Sequence, residues 1–236
     1  MLKAAIVGCG VISSFHAEAY RRSGLAELAA VVDVDGEKAK AAGKKYGVPY
    51  YKRLSTVLKR DDIDVINVCT PSGLHGKIAI AAAKAGKHCY CEKPLDVTPQ
   101  RCDQIIAAFK ESGTMLGGVF QHRFAPPVME ARKAVEDGRL GTLTFGACYT
   151  PWWRSQEYYD CGDWRGTWKL DGGGSLMNQS IHLIDLLLVM MGPVKRLAAA
   201  TSLLAHKDIE VEDTAVAVVE FESGALGIIQ GTTSMF

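Results

Sequence analysis

The chain has 236 residues, 48% of them apolar and 22% charged, with a formal net charge of +1. That composition is ordinary for a globular protein of one large domain or two modest ones. The charge gives no reason to expect nucleic acid or an anionic membrane as partner, and no apolar run reaches the roughly 18 residues of a spanning helix.

The first half alternates. Leu2–Val7 reads as a strand, followed by the turn GCGVIS and a helix through Arg22. Leu28–Val34 reads as a second strand and Gly36–Tyr46 as a helix. Val65–Cys69 is a short apolar run closed by Thr70-Pro71, and an alanine-rich helix follows to Lys84. His88–Cys91 reads as a strand, Thr98–Ser112 as a helix and Met115–Phe120 as a strand. Strands alternating with helices imply a doubly wound α/β domain with a parallel sheet, placed over residues 1–122.

The rhythm then changes. Pro126-Pro127 open a helix ending near Asp137-Gly138, and Gly141–Thr150 reads as a strand. An aromatic, charged loop follows, PWWRSQEYYDCGDWRGTWK, then the stretch DGGGSLMNQSIHLIDLL. Strand candidates near 194–204, 213–222 and 225–233 complete an α+β domain over 123–236, with a mostly antiparallel sheet.

Several residues stand where chemistry is done. Gly8 permits a tight turn after the first strand, and Gly10 lets backbone approach a pyrophosphate at a helix N-terminus. Ser13 replaces the third glycine but is small enough for helix to pack on sheet. Asp33 lies 23 residues beyond Gly10, close to the roughly 20 at which a carboxylate meets the adenosine ribose; it favours NAD and repels the 2′-phosphate of NADP. Thr70 and Pro71 end a strand facing the ligand crevice and His75 lies just inside the next helix, as cofactor contacts or as a plain turn and cap. Lys93 ends the next strand. It is a surface lysine before a turn, or a proton-transfer group whose pKa, about 10.4 when free, must be lowered by burial and cationic neighbours. Pro94 holds Lys93 extended and admits a cis bond. Asn178, His182 and Asp185, spaced i, i+4 and i+7, share one face of a helix; they are satisfied core groups or the lining of a reaction site. The seven cysteines show no zinc spacing and no metal cluster is evident; MLKAAIVGCG lacks the basic start, long apolar run and cleavage site of a signal peptide, and reduced thiols in a cytoplasmic protein are expected.

GCGVIS, Asp33, NVCTPSGLH, CEKPLDVT, GVFQHRF and DGGGSLMNQSIHLIDLLLVMMGPV together resemble the Gfo/Idh/MocA family. The resemblance implies an NAD(P)-dependent enzyme acting on sugars, polyols and related molecules. It implies cofactor contacts from Gly8, Gly10, Val11, Ile12 and Asp33, from Thr70, Pro71 and His75, and from Glu92, Lys93 and Gln121. Lys93 matches the family's acid/base lysine, and His182 the histidine that contacts the reacting hydroxyl. Asn178 falls where many members have aspartate, and it is assigned a hydrogen bond to substrate. Arg123, Trp164 and Arg165 join Asn178 and His182 as substrate contacts, because aromatic faces stack on sugars and arginine forks grip carboxylates or phosphates; the same aromatics would also serve as domain or subunit packing. Asp185 is expected to orient or cap His182. The same residues would serve an NAD-retaining hydrolase or lyase that oxidises its substrate transiently, or a non-catalytic NAD-binding relative. Family members usually run longer, and this chain stops at GTTSMF within a strand candidate. The chain is then expected to be a truncated product, a fragment, or a short variant that repairs its open edge by association; because the family's second sheet often forms a dimer interface, the resemblance implies a homo-oligomer through it.

Overall fold

A computed structural model describes all residues 1–236. They divide into two units, Met1–Val119 and Phe120–Phe236, against the boundary at 122/123 expected from the change in rhythm.

In the first unit, β1 (Leu2–Val7) is a central strand. Ala5 and Val7 point into one core with Val32, Ile66, Val68 and Ile105, while Ile6 points into another with Ala17, Val31 and Cys69. Alternation puts those sets on opposite faces, and burial of both is the mark of a sheet covered by helices on each side. α1 (Ser13–Ser23) ends on Gly24 in the left-handed region, and β2 (Ala26–Val32) follows. α2 (Gly36–Tyr46) is capped by Asp35, whose carboxylate accepts from the backbone N–H of Glu37 and Lys38. β3 (Tyr50–Tyr51) and α3 (Leu54–Leu58) come next; they are too short to show a period in the sequence. β4 (Val65–Val68), α4 (His75–Lys84), β5 (His88–Cys91), α5 (Pro99–Ser112) and β6 (Leu116–Gly118) complete the unit. Thr98 caps α5, and Pro99 opens it where no N–H is needed.

All strands of this sheet pair in parallel, in the order β3-β2-β1-β4-β5-β6. The order reverses between β1 and β4, so the loops after β1, β2, β4 and β5 gather at the carboxyl edge where such sheets bind ligands.

The second unit runs α6 (Pro126–Glu136), β7 (Phe145–Pro151), α7 (Gln156–Asp160), a π-helical turn over Ser175–Ser180, α8 (Ile181–Met191), β8 (Val194–Ser202), β9 (Thr214–Phe221) and β10 (Leu226–Thr232). The sheet order is β7-β10-β9-β8, with β10 parallel to β7 and the other pairings antiparallel. Along β9, Ala215, Ala217, Val219 and Phe221 are buried, with Val219 and Phe221 in the core against Leu183, Ile184 and Leu187 of α8. The alternate residues Val216 and Val218 are 51% and 60% exposed.

The expectation of one regular helix through Asn178, His182 and Asp185 needs correction. Asn178 lies in the π turn, and only His182 and Asp185 lie on α8. The reason is visible just before it. A Cβ at Gly174 would lie 1.7 Å from the Glu212 carbonyl oxygen, so only glycine fits there. The Glu212 carboxylate accepts from the N–H groups of Gly174 (2.9 Å) and Leu176 (3.0 Å), and its carbonyl from Ser175 N–H (3.0 Å). These bonds satisfy donors that a helix start otherwise leaves open.

Candidate active site

In the first domain the turn after β1 is set by Gly8, at φ +96°, where a Cβ would lie 2.6 Å from the Cys69 carbonyl oxygen. At Gly10 an added Cβ would meet nothing within 4 Å, so this backbone is open to a ligand. Ser13 is buried, and its hydroxyl donates to the Gly10 carbonyl at 2.6 Å, so the serine locks the turn that a third glycine would merely permit. Val11 is 80% exposed and Ile12 stands beside it at the surface, apolar side chains left for a ligand to cover. Asp33 follows β2. Its two oxygens accept from the N–H of Cys9 (2.8 Å) and of Asp35 (2.9 Å), which fixes the carboxylate beside the glycine turn with lone pairs remaining for a diol. Burial, then the Asp33 charge, pushes the Cys9 thiol up to about 11, so it stays neutral.

Thr70 stands two residues beyond β4, with its hydroxyl buried and without a hydrogen-bond partner in the protein. Such a group is rare unless a ligand completes it. The turn, the carboxylate and this hydroxyl fit a dinucleotide. Pro71 leads into the 3₁₀ turn Ser72–Leu74. His75 is 1% exposed, and the expectation that it touches cofactor is corrected: its Nδ1 lies 2.7 Å from the Pro94 carbonyl oxygen and its Nε2 2.8 Å from that of Thr70. Both ring nitrogens face backbone carbonyls, and the N–H of the neutral ring donates to one of them. Burial pulls its pKa down against the raising effect of the two carbonyls.

Glu92 likewise turns inward. It is 7% exposed, its carboxylate lies 2.7 Å from His16 Nε2, and the other oxygen accepts from Lys93 N–H at 3.1 Å. It fixes the backbone from which Lys93 projects, and its carboxylate is not a free cofactor ligand. The Lys93–Pro94 bond is cis.

In the second domain Gln121 and Arg123 lie on a 3₁₀ turn, Gln121–Phe124. The Arg123 fork grips Asp185 through two bonds, Nε to Oδ2 at 2.7 Å and Nη2 to Oδ1. Arg123 is thus a structural partner of α8 more than a free substrate contact, and Asp185 serves Arg123 where it was expected to serve His182. The His182 ring stacks on His122, with centroids 4.6 Å apart, and meets the edge of Phe120 at 6.1 Å. The Asn178 amide donates to Asp171 Oδ1 at 2.5 Å, and Asp171, 2% exposed, also accepts from Gly166 N–H at 2.9 Å.

Trp164 and Arg165 stack together, 4.8 Å from guanidinium carbon to ring centroid. Sequence reasoning did not single out Asp171, Gln179 or His122. Arg154 and Tyr158 stood in the aromatic, arginine-bearing loop read as possible ligand contacts, but nothing there set them apart from their neighbours. No group of three or more His, Cys, Asp or Glu side chains is arranged to hold a metal ion.

The model of an oxidoreductase family with an NAD-binding Rossmann fold matches residues 2–120, and that of the GFO/IDH/MocA C-terminal domain matches 128–236. The chain belongs to the Gfo/Idh/MocA family. The first domain of this Gfo/Idh/MocA protein is accordingly an NAD-binding domain. The chain is 29% identical to D-apiose dehydrogenase of Paraburkholderia graminis, over 96% of its own length and 59% of that protein's. It is 30% identical to myo-inositol 2-dehydrogenase of Thermotoga maritima, over 98% and 68%. It thus spans about three fifths to two thirds of these two relatives. Among solved structures, the WlbA dehydrogenase of Bordetella pertussis, in complex with NADH and UDP-GlcNAcA, aligns at a TM-score of 0.96 and 38% identity, over all of this chain and 72% of that one. Levoglucosan dehydrogenase with NADH aligns at 0.90 and 26%, over 98% and 67%.

Proposed function

We propose that this protein is an NAD-dependent oxidoreductase acting on a secondary alcohol of a sugar, polyol, sugar acid or nucleotide-sugar. The observation that carries the reading is the array at the carboxyl edge of the first sheet: the open Gly10 backbone, the fixed Asp33 carboxylate and the orphaned Thr70 hydroxyl. Likeness to the WlbA dehydrogenase, solved with UDP-GlcNAcA, makes a nucleotide-linked uronic acid the leading substrate. Asp33 supports NAD over NADP, because a carboxylate bonds the ribose diol and repels a 2′-phosphate.

Bound NAD supplies the hydride acceptor at nicotinamide C4. Lys93 Nζ takes the proton of the substrate hydroxyl, a contribution of roughly 10²–10⁴-fold. His182 supports that transfer, and Asn178 orients the substrate. The first domain carries the cofactor, and the second the substrate and the contact between subunits. The exposed apolar face of the second sheet, with Tyr149, Leu197, Val216 and Val218, supports a homo-oligomer formed there. Seven cysteines without a disulfide support a cytoplasmic protein.

The test is NADH formation with UDP-GlcNAcA and a panel of sugars and polyols. Lys93→Ala is expected to bind NAD as wild type does and to lose turnover. Near-wild-type rates in that variant would overturn the role of Lys93, and preference for NADP would overturn that of Asp33.

A further inference from the structure

Two half-buried guanidinium groups of the second domain share one aromatic ring, with no carboxylate paired to either. Arg154 Cζ lies 5.1 Å from the centroid of Tyr158 and Arg165 Cζ 4.6 Å from it. Each also stacks on a tryptophan, Trp152 at 5.0 Å and Trp164 at 4.8 Å. Their hydrogen bonds go only to neutral oxygens. Arg154 donates from Nη2 to Gln179 Oε1 at 2.8 Å and from Nη1 to the Trp153 carbonyl at 3.3 Å; Arg165 donates from Nη1 to the Cys161 carbonyl at 2.9 Å. The Nε–H of each is buried and has no acceptor.

The other arginines are not in this condition. Arg21, Arg22, Arg60, Arg101, Arg123, Arg132, Arg139 and Arg196 all pair with a carboxylate, and Arg53 stands exposed in solvent. A guanidinium withdrawn from water without a counter-charge is penalised, and stacking on rings offsets that only in part. A planar fork with an open Nε edge is shaped for the paired oxygens of a carboxylate or a phosphate. The cluster also reaches the assigned substrate residue: Gln179 Nε2 donates to the Tyr158 hydroxyl at 3.0 Å and to Asn178 Oδ1 at 3.5 Å.

We infer that Arg154 and Arg165, held on Tyr158, form the subsite for an anionic oxygen group of the ligand. The inference deepens the proposed function and rests on its assignment of the substrate to this domain. The anion is either the carboxylate of a uronic acid or the diphosphate of a nucleotide-sugar.

The test is titration calorimetry on the whole chain saturated with NADH. Four ligands separate the sources: glucuronate carries only the carboxylate, UDP-GlcNAc only the diphosphate, UDP-GlcNAcA both, and methyl glucoside neither. At low salt at least one anionic ligand is expected to bind at least about tenfold tighter than methyl glucoside, and Arg154→Gln and Arg165→Gln each to lose about tenfold of that affinity. Whichever of glucuronate and UDP-GlcNAc shows the loss identifies the group received. Unchanged NADH affinity and circular dichroism confirm folding. If a glutamine variant does not fold, Arg154→Lys or Arg165→Lys keeps the charge without the fork, and a loss of affinity in it is the expected result. Anions bound no tighter than methyl glucoside by wild type, or equally well by the variants, would overturn the subsite. Turnover is scored apart. Anion binding lost in the variants without any NADH formation would sink the redox reading and leave the subsite standing. Oxidation of neutral sugars without anion preference would do the reverse.

Discussion

The amide of Asn178 donates to the buried carboxylate of Asp171 at 2.5 Å. Position 178 is the one at which the resemblance puts an aspartate in many relatives, and here the residue is matched to its neighbour. Asn178→Asp would set two carboxylates against each other, so one of the pair would hold its proton well above the usual range. Its folded-state pKa would be raised, and the variant would gain stability as pH falls from 7 through that pKa. We expect a loss of about 2 kcal/mol at pH 7, read by urea denaturation, largely restored by acid or by the double variant Asp171→Asn/Asn178→Asp. A single variant as stable as wild type at pH 7 would refute the pairing argument.

His75 joins the carbonyls of Thr70 and Pro94. His75→Ala leaves the carbonyl that takes the single N–H of the neutral ring without its donor and opens a cavity between the two turns, and about 2–4 kcal/mol of stability is expected to go, together with NAD affinity. Its pKa is lowered chiefly by burial. The unfolded chain therefore binds the proton more readily, and wild type loses stability as pH falls from the unfolded value of about 6.5 toward the folded one. Denaturation profiles of wild type and His75→Gln across that window should differ in slope; parallel profiles would count against it.

Gly174→Ala drives a methyl group to 1.7 Å from the Glu212 carbonyl oxygen. Backbone must shift on both sides of the contact, with the π turn between. A loss above about 4 kcal/mol is expected, among the largest for a single substitution, visible as a fall in melting temperature. Glu212→Gln, which keeps an acceptor for only one of the Gly174 and Leu176 N–H groups and forces no backbone clash, should cost less.

Asp213 is fully buried and receives backbone N–H bonds from Leu204, Ala205 and His206, with His206 Nδ1 at 3.1 Å. Burial would raise its pKa, but the N–H bonds outweigh that and hold it below the usual range. Its contribution is present above the unfolded value of about 3.9 and is lost as pH falls through the folded one. Asp213→Asn should flatten acid unfolding below about pH 4, read from the pH dependence of the denaturation midpoint; an unchanged acid limb would count against this role of Asp213.

Val218 stands in the middle of the exposed apolar face on β9. Val218→Lys should shift sedimentation velocity toward the monomer while the buried face of the strand, with Val219 and Phe221, keeps the domain folded. An unchanged sedimentation coefficient would argue against association through this sheet.

The parallel domain was legible because its signals are local. Glycine turns, β-branched runs and alanine-rich helices each announce themselves within ten residues. β3 and α3 were not legible, since two-residue and five-residue elements form through their neighbours. Asp33 was legible from its spacing to Gly10, whereas for Thr70 and Lys93 the residues alone left a turn or a surface lysine open, and only the family resemblance assigned them a role. What His75 and Glu92 do there was not legible, because their partners, Pro94 and His16, lie 19 and 76 residues away. The π turn was hidden for the same reason. Glu212, which shapes it, enters 36 residues after Leu176.

The imidazole between Thr70 and Pro94 acts as a strut. It makes the turn after β4 and the turn after β5 one mechanical body, so that neither shifts without carrying the other. A displacement felt at the Thr70 hydroxyl is passed to the backbone that aims Lys93, and the two positions should fluctuate in step, whatever the breadth of that motion.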